Sequence, residues 1–273
     1  MSSVKTASTS DFIYSSLSFL GRRHGGELPG AWFVRAIGSL GIEEQAIRQA
    51  LFRMEKDGSL VTRRAGRAKF YRPSAATSAI LDAGVARVAE PVPAQWDGIW
   101  TLVHFRVGEE DRQGRDRLRD VLLTDGFAAI GPALYLHPRD RTARLMTAAA
   151  GLGLSDRLNV FRGTYTAGVD DAGLVRDLWD LRSIDARYRK FIRRFAPVSQ
   201  SPLRVWTDKQ IFALRFAFMF EFFRISWSDP GLPSSLLPAD WPGEQAQILA
   251  DRLMRKLLPG AIRYGDEILT SII

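Results

Sequence analysis

"EEQAIRQALFRMEKDGSLVTRRAGRAKFYRPS", residues 43–74, decides the reading of the fold. Its first half carries Ala46, Ile47, Ala50, Leu51 and Met54 at helical spacing, continuing a pattern begun at Ile42, and these positions fill one half of the helical wheel. Asp57-Gly58 stops that helix. "SLVTRR" and "AKFYRPS" then predict two short strands around the tight turn "AGR". The hairpin holds Arg63, Arg64, Arg67, Lys69 and Arg72 and no acidic residue. Upstream, residues 12–24 predict a first helix with Phe12, Leu17 and Leu20 on its apolar side. "LPGAWFVRAIGSLG" predicts a second, with Pro29 suited to its start and Gly41 to its stop. Three helices followed by a hairpin is the order of a winged helix-turn-helix, here residues 11–73.

The half of the third helix that faces away from its apolar positions carries Glu44, Gln45, Arg48, Gln49, Phe52 and Lys56. A recognition helix needs such a face, because arginine forks to guanine and glutamine pairs with adenine in the major groove. Base contacts come mainly from the N-terminal half of such a helix, which favours Gln45, Arg48 and Gln49, with Arg53 further along. Arg63, Arg64, Arg67 and Lys69 surround the hairpin tip and suit phosphate contacts, which position a module without reading sequence. The alternative is a solvated helix face beside an edge hairpin whose charges guard against aggregation. Charge favours the first reading. The formal net charge is +8 and the pI about 10.1, and residues 1–73 hold twelve Lys/Arg against six Asp/Glu. A basic module of this kind predicts a polyanion partner, double-stranded DNA.

Further along, residues 74–95 predict an alanine-rich helix and the proline-punctuated linker "EPVPAQ". Residues 96–168 predict β-α-β-β-α-β: "GIWTLVHFRV", a helix with Leu118, Val121 and Leu122 on one face, two strands around Gly131-Pro132, a helix over "RDRTARLMTAAAGLG" and a closing strand in "LNVFRGTYTA". That order is the split βαβ, or ferredoxin-like, plan. Residues 169–273 predict a helical C-terminal domain for dimerisation or effector binding. One of its helices opens with Thr207 and Gln210 in a capping-box pattern, and another covers "EQAQILADRLMRKLL". The expected class is α+β and multidomain, which suits 273 residues.

Several functions are excluded or disfavoured by composition. Without cysteine there is no disulfide, thiolate metal site or cysteine nucleophile. His24, His104 and His137 have no metal-ligand spacing, so neither metal nor cofactor is expected. The polar N-terminus "MSSVKTASTSDF" lacks the apolar stretch of a signal peptide. "IFALRFAFMFEFFRISW" is interrupted by Arg215, Glu221 and Arg224, which argues for a buried helix over a membrane span. A cytoplasmic protein is expected. The nearly all-round apolar segment 211–225 leaves two readings open, a homodimer interface or the central core of its own domain.

From about residue 11 to about 268 the chain resembles the PaaX-type transcriptional regulators, the phenylacetic-acid-degradation repressor family. The resemblance lies in "AIRQALFRMEKDGSL", in "WDGIWTLVHF" with "RDRLRDVLLTDGFAAIGPALYLHP", and in "FRISWSDPGLPSSLLPADWPG". Ser59 stands where a tryptophan is common in the family. The resemblance implies a winged-helix domain, a ferredoxin-like middle domain and a helical C-terminal domain. It also implies a homodimeric repressor on an inverted-repeat operator, relieved by an aryl-acyl-coenzyme A such as phenylacetyl-coenzyme A, with no catalytic residues.

The middle segment is also similar to small CRISPR-associated ferredoxin-fold nucleases, which sets a metal-dependent nuclease as the alternative. Such an enzyme needs a carboxylate at the end of its first strand to hold a divalent cation. Arg106 and Val107 stand at that place, whereas Glu109, Glu110 and Asp111 fall later and suit the start of the next helix. Trp96, Trp100, Trp179, Trp206, Trp227 and Trp241 are read as core or interface residues before ligand contacts. Glu221, Arg224 and Asp229 are read as structural. Arg182, Arg187, Arg189, Arg193 and Arg194, near Trp179 and Tyr188, are compatible with a phosphate-bearing effector, though no one of them is singled out.

Overall fold

The computed structural model describes residues 7–88, 90, 92, 93, 95–106, 111–166, 168 and 170–272. It is an α+β chain with two small antiparallel sheets. Two compact units divide it, one formed by residues 1–89, 191–223 and 245–273, the other by residues 90–190 and 224–244.

In the first unit, helix α1 (Thr9–Phe19) opens with a capping box in which the Ser8 hydroxyl and the Asp11 carboxylate accept each other's backbone N–H at 3.2 and 2.8 Å. The single helix expected over 12–24 is broken. A 3₁₀ turn, Gly21–His24, ends on Gly25 at φ 69°, a conformation that a glycine adopts without strain. Strand β1 (Leu28–Pro29), helices α2 (Gly30–Gly38) and α3 (Glu44–Lys56), strands β2 (Leu60–Ala65) and β3 (Ala68–Pro73) and helix α4 (Ala75–Val88) follow. The sheet order is β1-β3-β2. Two-residue β1 escapes sequence patterning, but its pairing of Leu28 with Tyr71 and Pro29 with Phe70 gives the hairpin a third strand. Pro29 is tolerated there because β1 is an edge. Gly66, at φ 58°, begins the two-residue loop between paired Ala65 and Ala68, where a tight hairpin turn needs a positive φ.

The parts of helices α8 (Leu181–Gln200), α9 (Asp208–Ser228) and α10 (Gly243–Thr270) that fall within residues 191–223 and 245–273 contribute the rest of this unit's core. The predicted capping box of α9 is present, with Thr207 N–H donating to Gln210 Oε1 at 2.8 Å and Gln210 N–H donating to Thr207 Oγ1 at 3.3 Å. Its apolar circumference is consumed inside the chain. Phe216 meets Phe12 of α1 at 5.3 Å, Phe222 meets Phe191 of α8 at 5.4 Å, and Phe212 meets Tyr264 of α10 at 5.2 Å. Of the two readings of segment 211–225, the core is the one this packing supports.

Helix α10 continues to Thr270, past Pro259, which the pattern "EQAQILADRLMRKLL" does not anticipate. An interior proline costs a hydrogen bond and crowds the preceding turn. Tertiary packing beyond it offsets that cost. The Trp32 indole donates to Gly265 O at 2.8 Å, and a Cβ at Gly265 would lie 2.7 Å from Leu20 Cδ2, so any side chain there would force Leu20 to shift.

Arg215 of α9 is buried, 4% exposed, with no carboxylate partner. Its guanidinium lies over the Phe19 ring at 4.1 Å and points N–H groups at the Met219 and Met254 sulfurs at 3.7 and 3.6 Å, while its Nε has no partner. Burial lowers its pKa to about 10, so the group stays charged at neutral pH.

The second unit is built on strands β4 (Trp100–Phe105), β5 (Ala128–Gly131), β6 (Leu134–His137) and β7 (Leu158–Gly163) in the order β5-β6-β4-β7, with helices α5 (Arg112–Thr124), α6 (Thr142–Gly151) and α7 (Asp171–Leu178). The continuous apolar run of β4 has a simple cause: both faces of the sheet are covered. Val103 and Phe105 enter a core with Leu118 and Leu122 of α5, whereas Trp100 enters a second core with Val175 and Leu232. Trp96, Trp179 and Trp241 pack against that second core. Their placement supports the core reading of these tryptophans, while Trp227 is 49% exposed.

Between β6 and α6, three guanidiniums converge on one carboxylate. Glu90 accepts from Arg139 and Arg141 at 2.6 Å and from Arg144 at 2.8 Å. Burial opposes ionisation of Glu90, but the three arginines together hold its carboxyl below the ordinary range. Beside them His137 is fully buried. Its Nδ1 accepts from Arg139 N–H at 3.0 Å, which leaves Nε2–H to donate to Pro230 O at 3.1 Å.

Two stability measurements test this account. Replacing buried charge with apolar volume is often neutral or stabilising by about 1–4 kcal/mol, so Arg215→Met should unfold at a higher temperature than wild type in a calorimetric scan. A lower melting temperature would show that the sulfur and ring contacts outweigh the desolvation cost. For His137, burial and then the charge of Arg141 depress the pKa from 6.5 to about 3. The unfolded chain therefore takes up a proton that the folded chain refuses, and stability present above pH 6.5 is lost as pH falls toward 3. The slope is at most about 1.4 kcal/mol per pH unit from this residue. Urea midpoints measured from pH 7 to pH 4 should decline in wild type and decline less in His137→Gln.

Candidate nucleic-acid interface

Helix α3 buries Ile47, Ala50, Leu51 and Met54. Glu44, Gln45, Arg48, Gln49, Phe52 and Arg53 are thereby turned outward together, and they line one open depression on the surface. Arg48 Nε donates to Glu44 Oε1 at 2.7 Å, one turn back. Gln45, Gln49 and Arg53 have no side-chain partner among the described residues. Phe52 is 64% exposed in the middle of this strip. Its signal in the sequence is an apolar residue on the polar half of the wheel, and it belongs among the candidate contacts.

Strand register sorts the hairpin cations. Arg64 pairs across the ladder with Lys69, and Arg63 with Phe70, so Arg63 and Arg64 lie on opposite faces of the ribbon. The face bearing Thr62, Arg64 and Lys69 is turned to α3, because Glu55 accepts from Thr62 at 3.0 Å and from Lys69 at 2.6 Å. The Lys69 hydrogen bond is the main reason the Glu55 carboxyl sits below its ordinary pKa. On the other face Arg63 is bound by Glu27, which raises its pKa, and lies 4.8 Å over the Phe70 ring. Arg64 and Arg67 are exposed and make no ion pair among the described residues. Arg63 and Lys69 thus fasten the hairpin, and Arg64 and Arg67 stay exposed to solvent.

The other sequence candidates separate in the same way. Arg189 is bound by Asp185 and Asp240 at 2.8 and 2.6 Å, Arg194 by Glu221 at 2.6 Å, and Arg187 donates to Ser183 O at 3.2 Å; Arg182 and Arg193 are exposed. Tyr188 donates to Asp229 at 2.8 Å. The five arginines of α8 are therefore not gathered into one cluster. Among the described residues no group of three or more His, Asp or Glu is placed to hold a metal. Asp111 caps α5 by accepting from Gly114 N–H at 2.9 Å, and Arg106 donates its N–H to Arg157 O at 2.8 Å. Val107, Glu109 and Glu110 lie outside the described residues. No helix among the described residues is long and apolar enough to cross a membrane.

Comparison with known proteins accounts for nearly the whole chain. Residues 8–77 match the family model described as PaaX-like protein, residues 93–175 the PaaX protein central Cas2-like domain, and residues 179–267 the PaaX-like protein C-terminal domain. A curated relative is the transcriptional repressor PaaX of Escherichia coli (strain K12), 28% identical over 254 residues that cover 89% of this chain and 78% of the relative. Among solved structures, protein Rv0674 from Mycobacterium tuberculosis superimposes with a TM-score of 0.63 at 22% identity, covering 96% of this chain and 98% of that one, which is a likeness of fold. With the three models in order from residue 8 to residue 267, the chain belongs to the PaaX family.

Proposed function

We propose that this chain is a cytoplasmic DNA-binding transcriptional repressor of an aromatic-acid, phenylacetate-type catabolic operon, released from its operator by an aryl-acyl-coenzyme A. In this reading residues 11–73 are a winged helix-turn-helix, with α3 as recognition helix and β2–β3 as the wing. The middle sheet, in order β5-β6-β4-β7, is ferredoxin-like and serves as scaffold. The observation that carries the reading is the outward strip of α3 beside a hairpin whose tip presents unpaired Arg64 and Arg67. The repressor named among the relatives adds support.

Each residue then has a distinct task. Arg48 and the glutamines Gln45 and Gln49 read base edges in the major groove, and Phe52 offers an apolar surface to a thymine methyl group. Arg53, Arg64 and Arg67 contact phosphates. Arg63 and Lys69 do so only secondarily, since carboxylates hold them. A gel-shift titration across salt concentrations tests this division. Arg64→Ala and Arg67→Ala should weaken binding to operator and random duplex alike, each making the log–log salt slope less negative by about 0.9 for every phosphate left without its cation. Arg48→Ala should instead cost roughly 1–3 kcal/mol on the operator and little on random DNA. Wild-type behaviour in all three variants would remove the interface from this face.

The proposed partners are an inverted-repeat operator, a second copy of the chain and phenylacetyl-coenzyme A. A two-fold dimer places two recognition helices one or more duplex turns apart, about 10–10.5 base pairs each. An effector releases such a dimer only by its differential affinity for the bound and released states. Operator footprinting with phenylacetyl-coenzyme A, free coenzyme A and phenylacetate, paired with light scattering, tests the assembly and the ligand together. A dimer mass is expected, with two-fold footprints that disappear only with the thioester. A monomer mass with an asymmetric footprint would overturn the dimer, and an equal response to free acid would overturn the effector. Nuclease action by the middle domain predicts divalent-metal-dependent cleavage of the same duplexes, which the repressor reading does not.

A further inference from the structure

In the second unit, Phe105 at the end of β4, Pro132 in the β5–β6 turn and Arg112, Arg115, Asp116 and Arg119 of α5 enclose a cavity of about 610 Å³. Spacing of three, four and seven residues brings the four charged side chains onto one helix face. Leu118 and Leu122 occupy the neighbouring face and are buried in the core beneath, which fixes the rotation of the helix. Arg115 is half-buried, whereas Arg112 and Arg119 are exposed at the rim.

Arginine in the first turn opposes the helix dipole, and like charges at i and i+4, here Arg115 and Arg119, repel, which Asp116, four residues after Arg112 and three before Arg119, offsets only in part. No ion pair reaches any of the three arginines among the described residues. Elsewhere in the same unit the chain neutralises clustered arginines internally, as Glu90 and Asp125 do for Arg139, Arg141 and Arg144. Among the described residues that line the cavity, one carboxylate, Asp116, faces three cations. Three guanidiniums left unneutralised around a concavity are chemically matched to an anion with several acceptor oxygens, which arginine binds by forked hydrogen bonds. Asp116 on the same face can accept hydrogen bonds from the ribose hydroxyl or base amino donors that a nucleotide adds to its phosphates.

We propose that this cavity binds the phosphate or diphosphate group of a small phosphorylated ligand of nucleotide type, with Arg115 innermost and Arg112 and Arg119 closing over the oxygens. The inference deepens the effector reading above, and rests on it only in naming coenzyme A as the carrier of those phosphates. A concave site of this size fits a compact group better than the extended backbone of a duplex.

The test is calorimetric titration of the full chain with free coenzyme A, adenosine 3′,5′-bisphosphate, pyrophosphate and a short random duplex at about 0.15 M salt. The proteins compared are wild type, Arg115→Ala, Arg115→Lys, Arg112→Ala with Arg119→Ala, and Arg252→Ala as an exposed-arginine control. Binding of coenzyme A and the bisphosphate should weaken roughly ten- to hundredfold in Arg115→Ala, as expected when a charge-assisted hydrogen bond is removed. The Lys variant should recover part of it, and Arg252→Ala should match wild type. Pyrophosphate should bind more weakly than the nucleotides. Unchanged affinity in the arginine variants, or no binding of any phosphorylated probe by wild type, would overturn the site. Loss of duplex binding with nucleotide binding intact would make it a DNA contact and overturn it equally. The two readings fail separately. If coenzyme A binds in an Arg115-dependent way and the thioester leaves the operator complex intact, the effector reading falls and the site stands. If the thioester releases operator from Arg115→Ala as readily as from wild type, the site falls and the effector reading stands.

Discussion

Burial of Ile47, Ala50, Leu51 and Met54 is the constraint on which the candidate interface depends. Fixing one half of a helix against a core leaves no freedom in what the other half presents. Gln45, Arg48, Gln49 and Phe52 are directed outward as a consequence of that packing, with only Arg48 held further by its bond to Glu44. The hairpin is set against this helix by a second, weaker constraint, the bonds from Thr62 and Lys69 to Glu55. Ion pairs at such exposure contribute at most about 1 kcal/mol each. Their effect is mainly to choose one orientation of the ribbon, since the sheet itself is held by β1-β3-β2 pairing.

That hierarchy explains what is legible in the sequence. The wheel of α3 and the alternation of the strands are periodic signals carried by consecutive residues, so the helix–helix–helix–hairpin order and the β-α-β-β-α-β order can be read directly. The division of labour among the hairpin cations cannot. Glu27 and Glu55 lie outside the hairpin, and only the register shows that Arg63 and Arg64 fall on opposite faces. The same limit hides β1, which is two residues long, and the extension of α10 past Pro259. There, local propensity argues for a stop, and a contact between Trp32 and Gly265, 233 positions apart, argues successfully against it. The core shared by α1, α9 and α10 is of this kind too: each helix shows its apolar positions, but none shows which partner will cover them.

The arginines illustrate why a net charge of +8 is an incomplete description. One set is neutralised within the fold: Arg139, Arg141 and Arg144 around Glu90, Arg194 with Glu221, and Arg263 with Asp208. Such groups cement segments distant in sequence and exert little field outside. Another set, which includes Arg53 on α3, Arg64 and Arg67 on the hairpin and Arg112, Arg115 and Arg119 along α5, forms no ion pair among the described residues. Self-repulsion makes such sets costly unless something external supplies the anion. The positions of the unpaired cations, more than their number, therefore carry functional information.

Three buried ionisable groups each keep one charge state near neutrality. His137 is neutral because burial and Arg141 depress its pKa to about 3. Tyr188 keeps its proton because burial and Asp229 raise its pKa. Arg215 keeps its charge although burial lowers its pKa to about 10. The strip on α3 and the hairpin tip contain arginine, lysine and glutamine but no histidine, and guanidinium groups do not titrate in this range. An interface so composed holds its charge constant across physiological pH. Its strength varies instead with the counterions that compete for the same phosphates, whose screening length is about 8 Å at physiological ionic strength. In the proposed operator complex a proton acting at this interface is therefore not the release signal. A change in the geometry that presents these charges, as a bound small molecule would bring, is the control consistent with the interface's composition.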